Sequence, residues 1–177
     1  MRTGDEESFR HFAAGHAATL RRTAFLMCGD WHLAEDLMQT TLVKIYRSWS
    51  RVQKRESLTN FARTVLLRTW LDEKRRPFRR SELPGADVPE VVDAQADPAA
   101  GTSRAWAKDL VHRALLELPP GQRAVLVLRY FDDLSVAEAA KVMRCSEGTV
   151  KSQAARGLGA LRVVVARLGA DVRRVAS

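Results

Sequence analysis

Between Ser81 and Ser103 the chain reads SELPGADVPEVVDAQADPAAGTS, with five acidic residues, three prolines and no Lys or Arg. Pro84, Pro89 and Pro98 oppose helix here, because proline lacks an N–H and restricts the residue before it. The scattered apolar residues cannot offset the entropy lost on ordering such a segment. The stretch therefore predicts a flexible acidic linker at 81–103. It splits the 177 residues into two halves, 1–80 and 104–177, each long enough for a small helical domain. No strand pattern survives beyond short runs such as Val125–Leu128, so the expected class is all-α.

Charge is distributed unevenly. Residues 1–43 carry four Lys/Arg against six Asp/Glu, residues 44–80 twelve against three, and residues 104–177 thirteen against seven. The net charge of +8 favours a polyanionic partner. No apolar run reaches the length of a membrane span, and the acidic start MRTGDEES does not resemble a secretory signal. Cys28 and Cys145 form no disulfide framework, so a reducing cytoplasm is expected.

In the first half, Phe9 and Phe12 suggest a short helix and Leu20–Cys28 a second, broken at Gly29-Asp30. A long helix from Trp31 to about Trp49 follows. Trp31, Ala34, Met38, Leu42, Ile45 and Trp49 form its core stripe. Asp36, Gln39 and Thr40 share another face, either solvated or a docking surface. A further helix runs from about Ser57 to Arg75 and ends in KRRPFRR, residues 74–80. Trp49, Phe61, Trp70 and Phe78 are interspersed among these cations, a mixture suited to single-stranded nucleic acid: cations follow phosphates and rings stack on unpaired bases.

In the second half, Trp106, Leu110, Val111, Ala114, Leu115 and Leu118 predict a buried stripe on a helix starting at Ser103 or Arg104. Pro119-Pro120 ends that helix and opens the next, GQRAVLVLRYF. Asp132-Asp133 read as turn residues whose charge favours the helix start behind them. Ser135 and Glu138 have capping-box spacing, and a break at Arg144-Cys145 precedes a helix capped by Ser146. Val150, Ala154, Gly157, Leu158 and Leu161 would face inward. Gly148, Ser152 and Ala155, flanked by Lys151 and Arg156, would face outward. That is a helix-turn-helix with a short, cation-flanked outer face suited to the major groove.

These segments together resemble the sigma-70 superfamily, specifically its small two-domain extracytoplasmic-function (ECF) group. The motifs are AEDLMQTTLVKIYRSW at 34–49, FARTVLLRTWLDEKRR at 61–76, LPPGQRAVLVLRYFDDLSVAEAA at 118–140 and CSEGTVKSQAARGLGALR at 145–162. The resemblance implies a transcription initiation factor, not an enzyme, that binds core RNA polymerase at its β′ clamp helices and β flap. Residues 1–80 would be region 2 and residues 104–177 region 4. Asp36, Gln39, Thr40 and Val43 would dock on polymerase. Phe61, Arg63, Arg68, Lys74, Arg75 and Arg76 would engage the −10 promoter element as single strand. Glu147, Gly148, Thr149, Lys151, Ser152 and Arg156 would read the −35 element as duplex. Promoter DNA and an anti-sigma protein are the other partners the family implies. Three departures bear on promoter preference: Arg144 stands where the family commonly has Gly, Arg68 replaces a common Asn, and Gln153 a frequent Arg.

An autonomous helix-turn-helix regulator is the alternative reading. It would bind a palindromic duplex without polymerase and has no use for a single-strand surface. Cys28 and His32 stand four residues apart, with His11 and His16 upstream, but four scattered histidines predict no metal centre. No Gly-rich phosphate loop is present, and no cofactor is expected. The basic end 163–177 either lengthens the last helix or trails from it.

Overall fold

The computed structural model describes residues 3–76 and 102–175, and every regular element is helical. They are α1 (Thr3–Cys28), α2 (Trp31–Arg47), α3 (Trp49–Val52), α4 (Leu58–Lys74), α5 (Thr102–Glu117), α6 (Pro120–Leu126), α7 (Val136–Met143) and α8 (Glu147–Val175). Residues 81–101 of the linker expected at 81–103, and the aromatic Phe78, lie outside the described residues, and α5 begins at Thr102, two residues inside the expected linker.

The two helices expected before Gly29 are one. The lapse in apolar spacing around Ala13–Ala18 reads as a break, but alanine is the best helix former and carries the helix through Gly15. Gly29 then ends it with φ +79°, a left-handed conformation suited to glycine. Asp30 starts α2 by accepting the Leu33 N–H at 2.8 Å. Ser57 caps α4 in the same way, accepting from Asn60 N at 3.2 Å.

Pro120 opens α6 as expected, and α6 runs into a wider π turn at Val127–Phe131. That turn closes where Asp132 N–H donates to Val127 O at 3.0 Å. Beyond Val163, α8 continues to Val175, so the basic end lengthens the last helix. Trp106 departs from its expected buried stripe: it is 45 % exposed, while Leu110, Ala114, Leu115 and Leu118 are buried.

The halves are not separate in this structure. One apolar cluster runs from Phe12, Met27, Ile45, Trp49, Leu66 and Trp70 into Val125, Leu128, Leu134, Ala139, Val142 and Val150. Its two tryptophans, Trp49 and Trp70, are core residues with no ring face free for a base.

Three contacts seam the halves. The Phe25 ring stacks on His112 with centroids 4.4 Å apart. Leu116 lies so close to Gly29 that a Cβ there would fall 2.6 Å from a Leu116 methyl. Arg123, buried to 6 % exposure, donates to Met27 O at 2.6 Å, Leu116 O at 2.6 Å and Leu118 O at 3.0 Å. These carbonyls sit at the C-terminal ends of α1 and α5, which lack intrahelical donors and carry partial negative charge. One guanidinium thus caps a helix from each half.

Candidate nucleic-acid interface

The duplex-reading candidate is built from local rules. Ser135 Oγ accepts from Glu138 N at 3.1 Å, and Glu138 Oε2 accepts from Ser135 N at 2.8 Å, completing the capping box. The Ser135 N–H first, and the Ser135 hydroxyl second, hold the Glu138 carboxyl below the usual carboxylate range. Small residues Ala139 and Ala140 let α7 lie close to its neighbours.

The turn after α7 is a Schellman motif. Cys145 N bonds Ala140 O at 3.1 Å and Arg144 N bonds Lys141 O at 3.3 Å. Arg144 takes the left-handed position, φ 53° and ψ 48°. Ser146 then caps α8, accepting from Thr149 N at 3.1 Å.

Along α8, Val150 and Gly157 are buried while Glu147, Gly148, Thr149, Lys151, Ser152 and Arg156 are all exposed. The structure therefore gathers the expected duplex-reading set on one outward surface. Gln153 does not join it. A Cβ on Gly121 would lie 3.6 Å from Gln153 Nε2, so this side chain folds back against α6.

The single-strand set all lies on α4 and its C-terminus, but it is divided. Phe61, Arg68 and Arg75 recur at sevenfold spacing and share a side, at about 100° per residue. Arg55 lies over the Phe61 ring, 4.6 Å from its centroid, and Arg68, Arg75 and Arg76 are exposed. Lys74 lies 5.5 Å from the centroid of Trp70.

Arg63 sits on the other side of α4, its side chain only 13 % exposed, with Nε 3.0 Å from Asp132 Oδ2. The Asp132 side chain is itself 2 % exposed and accepts from Thr23 Oγ1 at 3.0 and 3.1 Å. Its expected part as a helix-start charge is thus overridden by a buried pairing with α1 and α4. Neither Asp132 nor Arg123 was found among the functional candidates by sequence reasoning. In sequence each resembles a solvated charge, and no local spacing points to a partner in the other half.

Asp36, Gln39, Thr40 and Val43 form an exposed strip on α2 at i, i+3, i+4 and i+7. Val43, 49 % exposed, joins the strip to an apolar groove lined by Phe9, Leu42 and Tyr46. Among the described residues no group of His, Cys, Asp and Glu could hold a metal ion. No helix there is long and apolar enough to cross a membrane.

Two family profiles match, sigma-70 region 2 at residues 12–80 and sigma-70 region 4 at residues 108–161. The RNA polymerase sigma-E factor of Streptomyces avermitilis is 30% identical over 177 residues, covering 98% of this chain and 93% of that protein. The chain belongs to the sigma-70 family. Its relatives place it in the ECF group: the ECF RNA polymerase sigma factor SigM of Mycobacterium tuberculosis is 28% identical over 173 residues, covering 97% of this chain and 85% of SigM. The fold of this sigma factor is similar to that of RpoE from Bartonella quintana, solved with the anti-sigma factor NepR. That match has a TM-score of 0.71 and 23% identity, covering 89% of this chain and 96% of RpoE.

Proposed function

We propose that this ECF sigma factor confers promoter recognition on core RNA polymerase through two DNA readers of different kinds. The outward face of α8 carries the reading: Lys151 and Arg156 flank small Gly148 and Ser152, over a buried Val150. Such a face enters a major groove with its cations toward phosphates. This reader would take the −35 element, with Glu147, Thr149 and Ser152 toward base edges.

The second reader is α4. Phe61 and Arg63 would capture an unstacked base near −10, while Arg68, Lys74, Arg75 and Arg76 follow the backbone. Unstacking a base costs a few kcal/mol, comparable to one or two aromatic stacking contacts at ~1–3 kcal/mol each. Promoter opening would then draw on binding energy with no nucleotide hydrolysed by this chain.

Each reader alone is small for a specific DNA site. Mounted together on polymerase, two weak contacts become one strong one. The α2 strip of Asp36, Gln39, Thr40 and Val43 would be the mount, on the β′ clamp helices, with region 4 near the β flap. The reading puts this work in the cytoplasm. An anti-sigma protein fits as a further partner, since RpoE was solved with one.

The experiment is a salt-dependent binding series on holoenzyme with a selected promoter. Lys151→Ala and Arg156→Ala should each weaken binding and lower the salt slope by about 1. An unchanged slope in both would remove α8 from the DNA. Phe61→Ala should slow open-complex formation more than closed binding. Equal loss at both stages would remove the single-strand role.

A further inference from the structure

The last helix repeats its own outward face. From Glu147 to Gly157 it reads EGTVKSQAARG, and from Leu158 to Leu168 it reads LGALRVVVARL. Eleven residues make three helical turns, so matched positions fall within about 20° of each other around the helix and about 16.5 Å apart along it. Gly148 is matched by Gly159, Lys151 by Arg162, Ala155 by Ala166 and Arg156 by Arg167. All eight are exposed. On the inner side Val150 is matched by Leu161, and Leu161 packs against Leu115, Leu118 and Leu126. The second unit is therefore held as firmly outward as the first.

The units share charge and size but not hydrogen-bonding groups. Glu147, Thr149 and Ser152, assigned above to base edges, become Leu158, Ala160 and Val163. Phosphates are held by charge, whereas bases are told apart by donors and acceptors. The second unit keeps what binds a backbone and lacks what reads a sequence. No Asp or Glu stands on α8 between Glu147 and Asp171. Arg162 and Arg167 lie beyond residues 108–161, the segment that matches region 4.

Position decides which phosphates these are. The major groove is about 12 Å wide, so a straight helix seated in it by residues 147–156 has passed its edge three turns later. The second unit then lies over the phosphate ridge beside the element. Arg162 and Arg167 stand on either side of Gly159 and Ala166, whose small size allows close approach. Arg167 is paired with Glu117 at an exposed surface, and a pair of that kind contributes little that a phosphate would not replace.

We propose that α8 carries a second DNA contact, in which Arg162 and Arg167 bind backbone phosphates of the duplex flanking the −35 element without reading its sequence. The inference rests on the reading of α8 given above, and it adds a footprint that extends past the element.

The test is closed-complex formation by holoenzyme on two versions of a selected promoter. One has ordinary phosphates; the other carries neutral methylphosphonate linkages on both sides of the −35 element. On the ordinary template, Arg162→Ala with Arg167→Ala should lower the salt slope by about 2. Raising salt from about 50 to about 200 mM should then cost this variant roughly tenfold less affinity than it costs the wild type. On the neutralised template the wild type should behave like the variant, and the variant should lose nothing further. Arg162→Lys with Arg167→Lys should keep the slope, and scrambling the flanking sequence should leave every result as it was.

An unchanged slope, or a loss that depends on flanking sequence, would overturn the second contact. So would an equal loss on both templates, which would assign the arginines to an acidic protein surface. Should the alanine variant lose helix, Arg162→Gln with Arg167→Gln removes the charges at similar length and carries the same expectations. The reading of α8 is judged separately, by Lys151→Ala with Arg156→Ala on the neutralised template. No loss there takes α8 off the DNA and this inference with it. A loss there beside a silent Arg162 and Arg167 pair defeats only the second contact.

Discussion

Replacing Arg123 with Ala should destabilise the chain by at least about 3 kcal/mol. The buried guanidinium makes three hydrogen bonds to carbonyls, of Met27, Leu116 and Leu118, at 2.6–3.0 Å. Hydrogen bonds to a charged group contribute roughly 1.5–3 kcal/mol each, which would give about 4.5–9 kcal/mol if all three were lost without replacement. Replacement does occur. A cavity of about 60 Å³ lined by Cys28, Leu33, Trp70 and Arg123 already has room for water, which can satisfy part of the freed carbonyls. Removing the unfavourable burial of the charge offsets a further part, so the low end of the range is expected. Arg123→Lys should recover only a fraction, because an ammonium cannot fork across helix ends on two sides. The assay is urea denaturation with linear extrapolation. A loss under about 1 kcal/mol for Arg123→Ala, or full recovery by Lys, would refute the double-cap argument.

Three other substitutions probe the same seam and the turn beside the reading helix. Gly29→Ala should cost about 2 kcal/mol or more in the same assay, combining a left-handed φ of +79° with a Cβ 2.6 Å from Leu116. Adding Leu116→Ala should relieve the clash but not the φ strain. Arg144→Gly should stabilise the chain by up to about 1 kcal/mol, since the residue occupies φ 53°; a destabilised variant would show that its side chain holds the turn. Burial against Phe25 lowers the pKa of His112 from its ordinary 6.5, against the opposing pull of the Phe25 carbonyl and Asp109. A depressed folded pKa contributes stability above the unfolded value that is lost as pH falls through the folded one. The urea midpoint should therefore drop as pH falls below about 6.5, the unfolded value, and His112→Phe should flatten the part of that drop due to this ring.

Much of this architecture was readable because its signals are short-range. The capping box of Ser135 and Glu138, the start at Pro120 and the inward spacing of Val150, Gly157 and Leu158 need only neighbours a few residues away, and the structure has each. Helical spacing alone marked Gly148, Lys151, Ser152 and Arg156 on α8 and Asp36, Gln39 and Thr40 on α2, while Glu147, Thr149 and Val43 came with the resemblance to the sigma-70 family. What sequence did not disclose is long-range. Arg123 reaches Met27 across 96 positions and Asp132 reaches Thr23 across 109, distances over which charge patterning carries no pairing information. The acidic, proline-bearing segment argued for independent halves, yet Val125, Leu128 and Ala139 join the core of the first. A polar, proline-bearing sequence between two segments does not prevent those segments from packing together. Trp106 was misplaced for a related reason: helical spacing marks an apolar side, but not how far along the helix a neighbour covers it.

The most direct test is reconstituted transcription. Core RNA polymerase, with and without this chain, is offered a library of promoter-length templates, and the transcribed sequences are recovered. The account predicts initiation that depends on the chain, from templates sharing two separated elements. Loss should follow from Gln39→Arg in the α2 strip or from Lys151→Ala on α8. Equal transcription without the chain, or recovered templates sharing no second element, would contradict it.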